Sequence, residues 1–184
     1  MQRHLARFID ETEHREHQSF HFGAGENPET LGTRSYCNES KAGDREKWTE
    51  PDELRPLTKS GRRQAEGLVS LLENEPIGLI VSSSYARCVQ TVEPLAAAQD
   101  KQVELHDDAL AEGAHTAATF DLIESAGEGA ALCTHGDVLG NVIGELAELG
   151  TPGADPFLMK KGCTWVLERS SGTFTRATYL PPPS

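Results

Sequence analysis

Ile77-Gly78-Leu79-Ile80-Val81-Ser82-Ser83-Ser84-Tyr85-Ala86-Arg87 is an apolar run that stops in three hydroxyl side chains and then opens a helix. The run from Ile77 to Val81 has the length and branching of a buried strand, and helical periodicity takes over across 84–97. The same pattern recurs downstream. Ala130-Ala131-Leu132-Cys133 reads as a second buried strand, Thr134-His135-Gly136-Asp137 as its polar end, and 136–149 as a helix carrying Val138, Leu139, Val142, Ile143, Leu146 and Leu149. Apolar strands without polar alternation, each followed by an amphipathic helix, belong to a parallel sheet covered on both faces.

Working outward, 58–72 reads as a helix with Thr58 as its cap and Leu57, Ala65, Leu68 and Leu72 as its apolar stripe. A short strand is expected at Val103-Glu104-Leu105, a helix over 116–125, and two late strands over 163–168 and 173–179. Pro181-Pro182-Pro183 reads as an extended tail. The expected fold class is therefore α/β: a three-layer sandwich with a mostly parallel sheet flanked by helices. The chain before residue 41 reads differently. It is polar, with a short helix at most over 3–17 and with Gly23, Gly25, Pro28 and Gly32 as loop punctuation. Leu31-Gly32-Thr33-Arg34-Ser35-Tyr36-Cys37 lacks the apolar run of a buried central strand. The expected division is an atypical polar segment over 1–40 and one α/β domain over 41–184.

With 184 residues, one domain is the default. A formal net charge of −12 argues against duplex nucleic acid or an anionic membrane surface as a partner, while leaving room for a locally basic pocket that takes a small anion. The four cysteines, Cys37, Cys88, Cys133 and Cys163, show neither CxxC nor zinc-ligand spacing, so no metal site is expected. They read as reduced, buried thiols. No signal-peptide core and no membrane-length apolar stretch is present, and a cytoplasmic location is expected. His14, His17 and His21 share a helix face only if the first helix runs that far, and they read as solvated surface because no carboxylate or cysteine completes a ligand set.

In open α/β sheets ligands bind beyond the carboxyl ends of the strands. Both strand ends here lead into helix N-termini, whose free amides favour an anion. Arg87 at one turn supplies forked donors matched to phosphate oxygens, and His135 at the other supplies a hydrogen bond or a positive charge. Taken singly, each is more often a bland residue; it is the pair that points to one shared anion.

Four ordered segments sharpen this. Arg55-Pro56-Leu57-Thr58-Lys59-Ser60-Gly61-Arg62-Arg63-Gln64-Ala65-Glu66 resembles the LTxxGxxQA element of the histidine phosphatase family. Residues 82–91 resemble its strand-turn-helix with a phosphate-binding arginine, Leu110-Ala111-Glu112-Gly113 the loop with its acid, and Cys133-Thr134-His135-Gly136-Asp137 its second histidine motif. The resemblance is to the short branch that includes phosphohistidine phosphatases, with a phosphoglycerate mutase-like fold. It implies that Arg87 and His135 bind phosphate, that Glu112 is the general acid and His135 part of the catalytic set, and that no metal or organic cofactor is needed. The implied partner is a phosphorylated small molecule or a phosphoprotein. In that family an Arg-His pair ends the first strand; the histidine attacks phosphorus, and water then releases phosphate from the phosphohistidine.

At this point the chain departs from the pattern. Lys41-Ala42-Gly43-Asp44-Arg45-Glu46-Lys47-Trp48 is similar to the family's stretch just after the Arg-His pair, which puts Asn38 at the arginine position and Glu39 at the nucleophile position. Two explanations fit so abrupt a change: a diverged relative that binds phosphorylated ligands without turnover, or a disrupted reading frame that replaced the first strand. Arg3-His4 stands too far upstream to substitute. Trp48 is either a pocket wall or a packing residue, His115, near Glu112 together with His106, is a weak candidate for substrate contact, Trp165 reads as core, and Lys160 and Lys161 either add positive potential or, by default, form a solvated turn.

Overall fold

The computed structural model describes residues 32–184, with side chains from Asn38 onward. Its centre is a six-stranded sheet in the order β3-β2-β4-β1-β5-β6. The strands are β1 (Gly32–Asn38), β2 (Leu79–Ser82), β3 (Val103–Leu105), β4 (Ala130–Thr134), β5 (Thr164–Ser170) and β6 (Thr173–Leu180). The first four in spatial order pair in parallel, and β5 is antiparallel to both β1 and β6. The helices are α1 (Lys59–Leu71), α2 (Ala86–Ala98), α3 (Asp107–Leu110), α4 (Thr116–Ser125) and α5 (Gly136–Glu148). The α/β class and the strand-helix alternation agree with the sequence expectation; the single turn of α3 is an addition to it.

The sheet separates two apolar layers, and the alternation of side chains along β4 shows how. Ala130 and Leu132 join one cluster with Leu139, Val142, Ile143, Leu146 and Trp165. Ala131 and Cys133 join the other, with Leu68, Leu72, Val92, Leu95 and Ile80. A period of two sends neighbours to opposite faces, so a strand covered on both sides must be apolar throughout. Each fully buried Leu or Ile contributes about 1.5–3 kcal/mol relative to exposure. Among the described residues no helix is long and apolar enough to cross a membrane.

Two expectations are corrected. Residues 32–38, read as lacking a strand, form β1 in the interior of the sheet, where it bonds to β4 on one side and β5 on the other. Its place is set by main-chain ladders on both edges rather than by an apolar run of its own. The division at residue 40 therefore falls too late, since the sheet already includes Gly32. The readings that involve Arg3-His4, the short first helix and His14, His17 and His21 lie outside the described residues.

Helix α1 shows why its sequence has the residues it has. Thr58 caps it, its Oγ1 accepting from Gly61 N at 3.1 Å and donating to Lys41 O at 2.9 Å. Gln64 Oε1 accepts from Lys41 N at 3.0 Å, and its Nε2 donates to Lys161 O at 3.2 Å. Gly61 packs so closely that a Cβ there would stand 2.1 Å from Lys41 O. The helix is thus bonded to the chain that leaves β1. Gly61→Ala is expected to lower stability by about 1–3 kcal/mol through forced displacement of the Lys41 main chain, read as a fall in the urea midpoint at unchanged slope.

Candidate active site

A cavity of about 570 Å³ opens at the carboxyl ends of β1, β2 and β4, lined by Glu39, Lys41, Arg45, Arg55, Arg87, Glu112, His135, Asp137 and Lys161 among others. Among those charged residues five are Lys or Arg and three are Glu or Asp. The whole chain has 17 basic and 29 acidic residues. The cavity thus reverses the sign of the molecule, as an anion pocket requires.

Arg87, near the start of α2, is buried to 2% exposure. Its Nη1 donates to Asp52 O at 2.9 Å and lies 3.0 Å from Asp52 Oδ2. Its Nη2 donates to Glu112 Oε2 at 3.1 Å and lies 3.2 Å from His135 Nδ1. The Tyr85 ring lies under the guanidinium, 4.6 Å from Cζ, and meets the His135 ring edge-on. The opposite ring nitrogen of His135, Nε2, faces inward, 3.1 Å from Ser83 Oγ and 3.6 Å from Cys88 Sγ. Burial pushes the Cys88 thiol up, but hydrogen bonds with Cys133 and His135 outweigh it and hold it at about 7.

Glu39 follows β1 directly and is 3% exposed. Its Oε1 lies 3.8 Å from both Arg87 Nε and His135 Nδ1 and pairs with Lys161 Nζ. The side chains of Arg87, His135, Glu112 and Glu39 therefore meet in one cavity. Asn38 is buried as well, but its Nδ2 bonds to Lys160 O at 3.2 Å, a structural contact on the adjoining loop. Lys161, by default read as a solvated turn, instead reaches into the site although its side chain is half exposed. His106 and His115 cap α3 and α4 and do not line the cavity. Trp48 also stands outside the lining, its Nε1 bonded to Pro51 O at 3.0 Å, and Trp165 is core as expected. Cys88, Cys133 and Cys163 are buried and in no disulfide among the described residues. Among the described residues no group of three or more His, Cys, Asp or Glu could hold a metal ion.

Residues 42–116 match the family model of the histidine phosphatase superfamily, branch 1. The chain is 36% identical over 148 residues to the 8-oxo-(d)GTP phosphatase of Mycolicibacterium smegmatis, a match that covers 77% of this chain and 46% of that protein. The chain thus spans about half the length of that relative. Its fold is shared with a candidate phosphohistidine phosphatase SixA from Nakamurella multipartitia (TM-score 0.66, 20% identity, 86% of this chain and all of the other). It is shared also with the protein histidine phosphatase SixA solved with tungstate (TM-score 0.63, 16% identity, 81% and 94%), and with a mycobacterial glucosyl-3-phosphoglycerate phosphatase (TM-score 0.58, 16% identity, 82% and 97%). Residues 42–116 of this chain thus carry the pattern of the histidine phosphatase superfamily.

Arg45, which the sequence reading gave no role, sets the state of Glu112. Arg45 Nη2 donates to Glu112 Oε2 at 2.6 Å and lies 2.9 Å from Asp52 Oδ2. The hydrogen bond from Arg45 is the main cause that holds the Glu112 carboxyl below its usual range; burial opposes it, and the charges of Arg45, Arg87 and His135 add to it. Asp52 is likewise held down, first by its hydrogen bond from Arg55 against the opposing effect of burial, then by Arg45 and Arg87. The only sequence signal for this cluster was the three-residue spacing of Asp52 and Arg55. A carboxylate so held is ionised in the free chain and gains a proton only when its cations turn elsewhere. Arg45→Met should raise the Glu112 pKa measurably in an NMR pH titration. It should also widen the pH range over which that carboxyl carries a proton.

Proposed function

We propose that this chain carries a histidine phosphatase-type phosphohydrolase site, for phosphomonoester or phosphohistidine hydrolysis, whose phosphoryl transfer is impaired because Asn38 and Glu39 stand where the arginine and the nucleophilic histidine belong. The observation that carries the reading is the position of Glu39. It follows the end of the central strand and lies in the basic cavity within 3.8 Å of both Arg87 and His135. A histidine at this position would face phosphorus between an arginine and a second imidazole, with Glu112 across the cavity.

The roles follow from the chemistry of phosphoryl transfer, in which positioning and charge stabilisation do most of the work. Arg87 and His135 hold the phosphate oxygens. An oxyanion that takes up Arg87 and Arg45 draws both from Glu112 and lets that carboxyl take a proton from solvent, which it delivers to the leaving oxygen. Asn38 provides no forked anion contact, and Glu39 provides a carboxylate in place of an imidazole. Between like charges ~4 Å apart the repulsion is about 1 kcal/mol in water and roughly 4 kcal/mol at an effective dielectric of 20.

The substrate class is a phosphorylated small molecule or a phosphoprotein. The names of the relatives support this breadth, since they cover an oxidised nucleotide, phosphohistidine and a glucosylated phosphoglycerate. Buried cysteines in no disulfide among the described residues fit a cytoplasmic setting. The domain extends from β1 to the end of the chain. The same position of Glu39 favours a second reading, a non-catalytic pseudophosphatase that keeps the cations and has no nucleophile.

Hydrolysis of para-nitrophenyl phosphate tests both. The parent chain should turn over near the detection limit, and the double variant Asn38→Arg, Glu39→His should gain at least about a hundredfold, the scale on which a nucleophile matters. Arg87→Ala in the restored background should lose about 10²–10³-fold of that gain. No gain on restoration, with phosphate binding retained, would favour the non-catalytic reading.

A further inference from the structure

Lys161 stands between α5 and β5 on a segment that is bonded to the end of β1. Asn38 N donates to Cys163 O at 2.9 Å, and Gly162 N donates to Glu39 O at 3.1 Å. Asn38 Nδ2 reaches Lys160 O, and Gln64 Nε2 holds Lys161 O. The main chain thus fixes the Lys161 ammonium against the Glu39 carboxylate. Three groups from separate elements converge on one oxygen, Glu39 Oε1: Lys161 Nζ, Arg87 Nε and His135 Nδ1.

Only one of the three completes a hydrogen bond. Arg87 Nε, Glu39 Oε2 and Asn38 Oδ1 are buried without a partner. A flat carboxylate tethered to β1 has two oxygens and reaches Lys161 at the expense of the arginine. A tetrahedral oxyanion has four oxygens and no tether, so it can serve the lysine, the arginine and the imidazole together.

We propose that Glu39 is a resident anion: its carboxylate fills the oxyanion site formed by Arg87, His135 and Lys161, and Lys161 is a phosphate ligand of that site once Glu39 is removed. The proposal rests on reading the cavity as a phosphate site, and it makes the parent chain a poor phosphate receptor. Charge and volume both exclude the free ion, because the carboxylate stands where an oxyanion would have to sit.

Calorimetric titration of the full chain with inorganic phosphate, repeated with vanadate, provides the test. Glu39→Gln removes the charge, and Glu39→Ala removes charge and volume. Both should bind phosphate at least about tenfold tighter than the parent, from the loss of a like charge near the ligand. Lys161→Met placed on Glu39→Ala should lose at least about fivefold of that affinity, since one charge-assisted contact goes. Melting curves report that each variant is folded, and phosphate should raise the melting temperature of the Glu39 variants and not of the parent. Tight binding by the parent that Arg87→Ala abolishes would overturn the resident anion and leave the phosphate site standing. An unchanged affinity on adding Lys161→Met would remove Lys161 from the ligand set. No phosphate binding by folded Glu39 variants would overturn both the proposal and the phosphate reading, because Arg87 and His135 are still present in them.

Discussion

A guanidinium that is 2% exposed needs partners, and Arg87 draws them from every part of the chain. Asp52 comes from the loop before α1, Glu112 from the loop after α3, His135 from the end of β4, and Glu39 from the end of β1. None lies near Arg87 in sequence, so they can meet only after the sheet has formed. The buried charge therefore ties the cavity to the fold. Removing one carboxylate leaves the others to compensate the charge, so the site depends on the set rather than on any single pair. Tyr85 adds a ring beneath the guanidinium and beside the imidazole, which limits how far either can swing.

The electrostatics follow from that hub. An acidic chain builds a basic cavity, and most carboxylates in and beside it are assigned to cations: Asp52 to Arg55, Arg45 and Arg87, Glu112 to Arg45 and Arg87, Glu39 to Lys161, while Asp137 accepts from Gly113 N. The first two contacts of Arg87 are with carboxylates that an incoming anion would displace. Affinity for phosphate is then the difference between two sets of charge-assisted bonds rather than a gain from free donors. The same competition couples the ligand to Glu112, whose ionised state depends on the cations that a phosphate would recruit.

What the sequence disclosed and what it hid divide along the line between local and non-local forces. Elements β2, β4, α1, α2 and α5 carry their own signals, an apolar run or a 3.6-residue stripe, and were legible to within a few residues. Arg87 and His135 could be read because each stands beside such an element, whereas Glu112, on the loop after α3, was singled out by the family resemblance alone. Strand β1 could not, since Gly-Thr-Arg-Ser-Tyr-Cys-Asn holds no apolar run and is placed by ladders to β4 and β5. Lys161 could be named only as a source of positive potential, with a solvated turn as the default, for a related reason. Two lysines before a glycine read as surface until the bonds from Asn38, Gly162 and Gln64 fold that turn against Glu39. Arg45 joins Glu112 across 67 positions of sequence, a distance over which no periodicity speaks.

The main chain at residue 39 bears on what this pocket can become. Glu39 N donates to Thr134 O at 3.0 Å, and Glu39 O accepts from Gly162 N at 3.1 Å. Ser40 N donates to Thr91 Oγ1, itself bonded to Arg87 O, and Lys41 N donates to Gln64. The backbone that presents residue 39 is therefore fixed from β4, α1, α2 and the segment before β5, and none of these bonds involves the side chain at 39. A change of that side chain acts on charge and reach alone, with its Cα and its direction into the cavity already set. The step between a carboxylate that fills the anion hole and an imidazole that faces phosphorus is thus a step in side-chain chemistry on one unchanged scaffold.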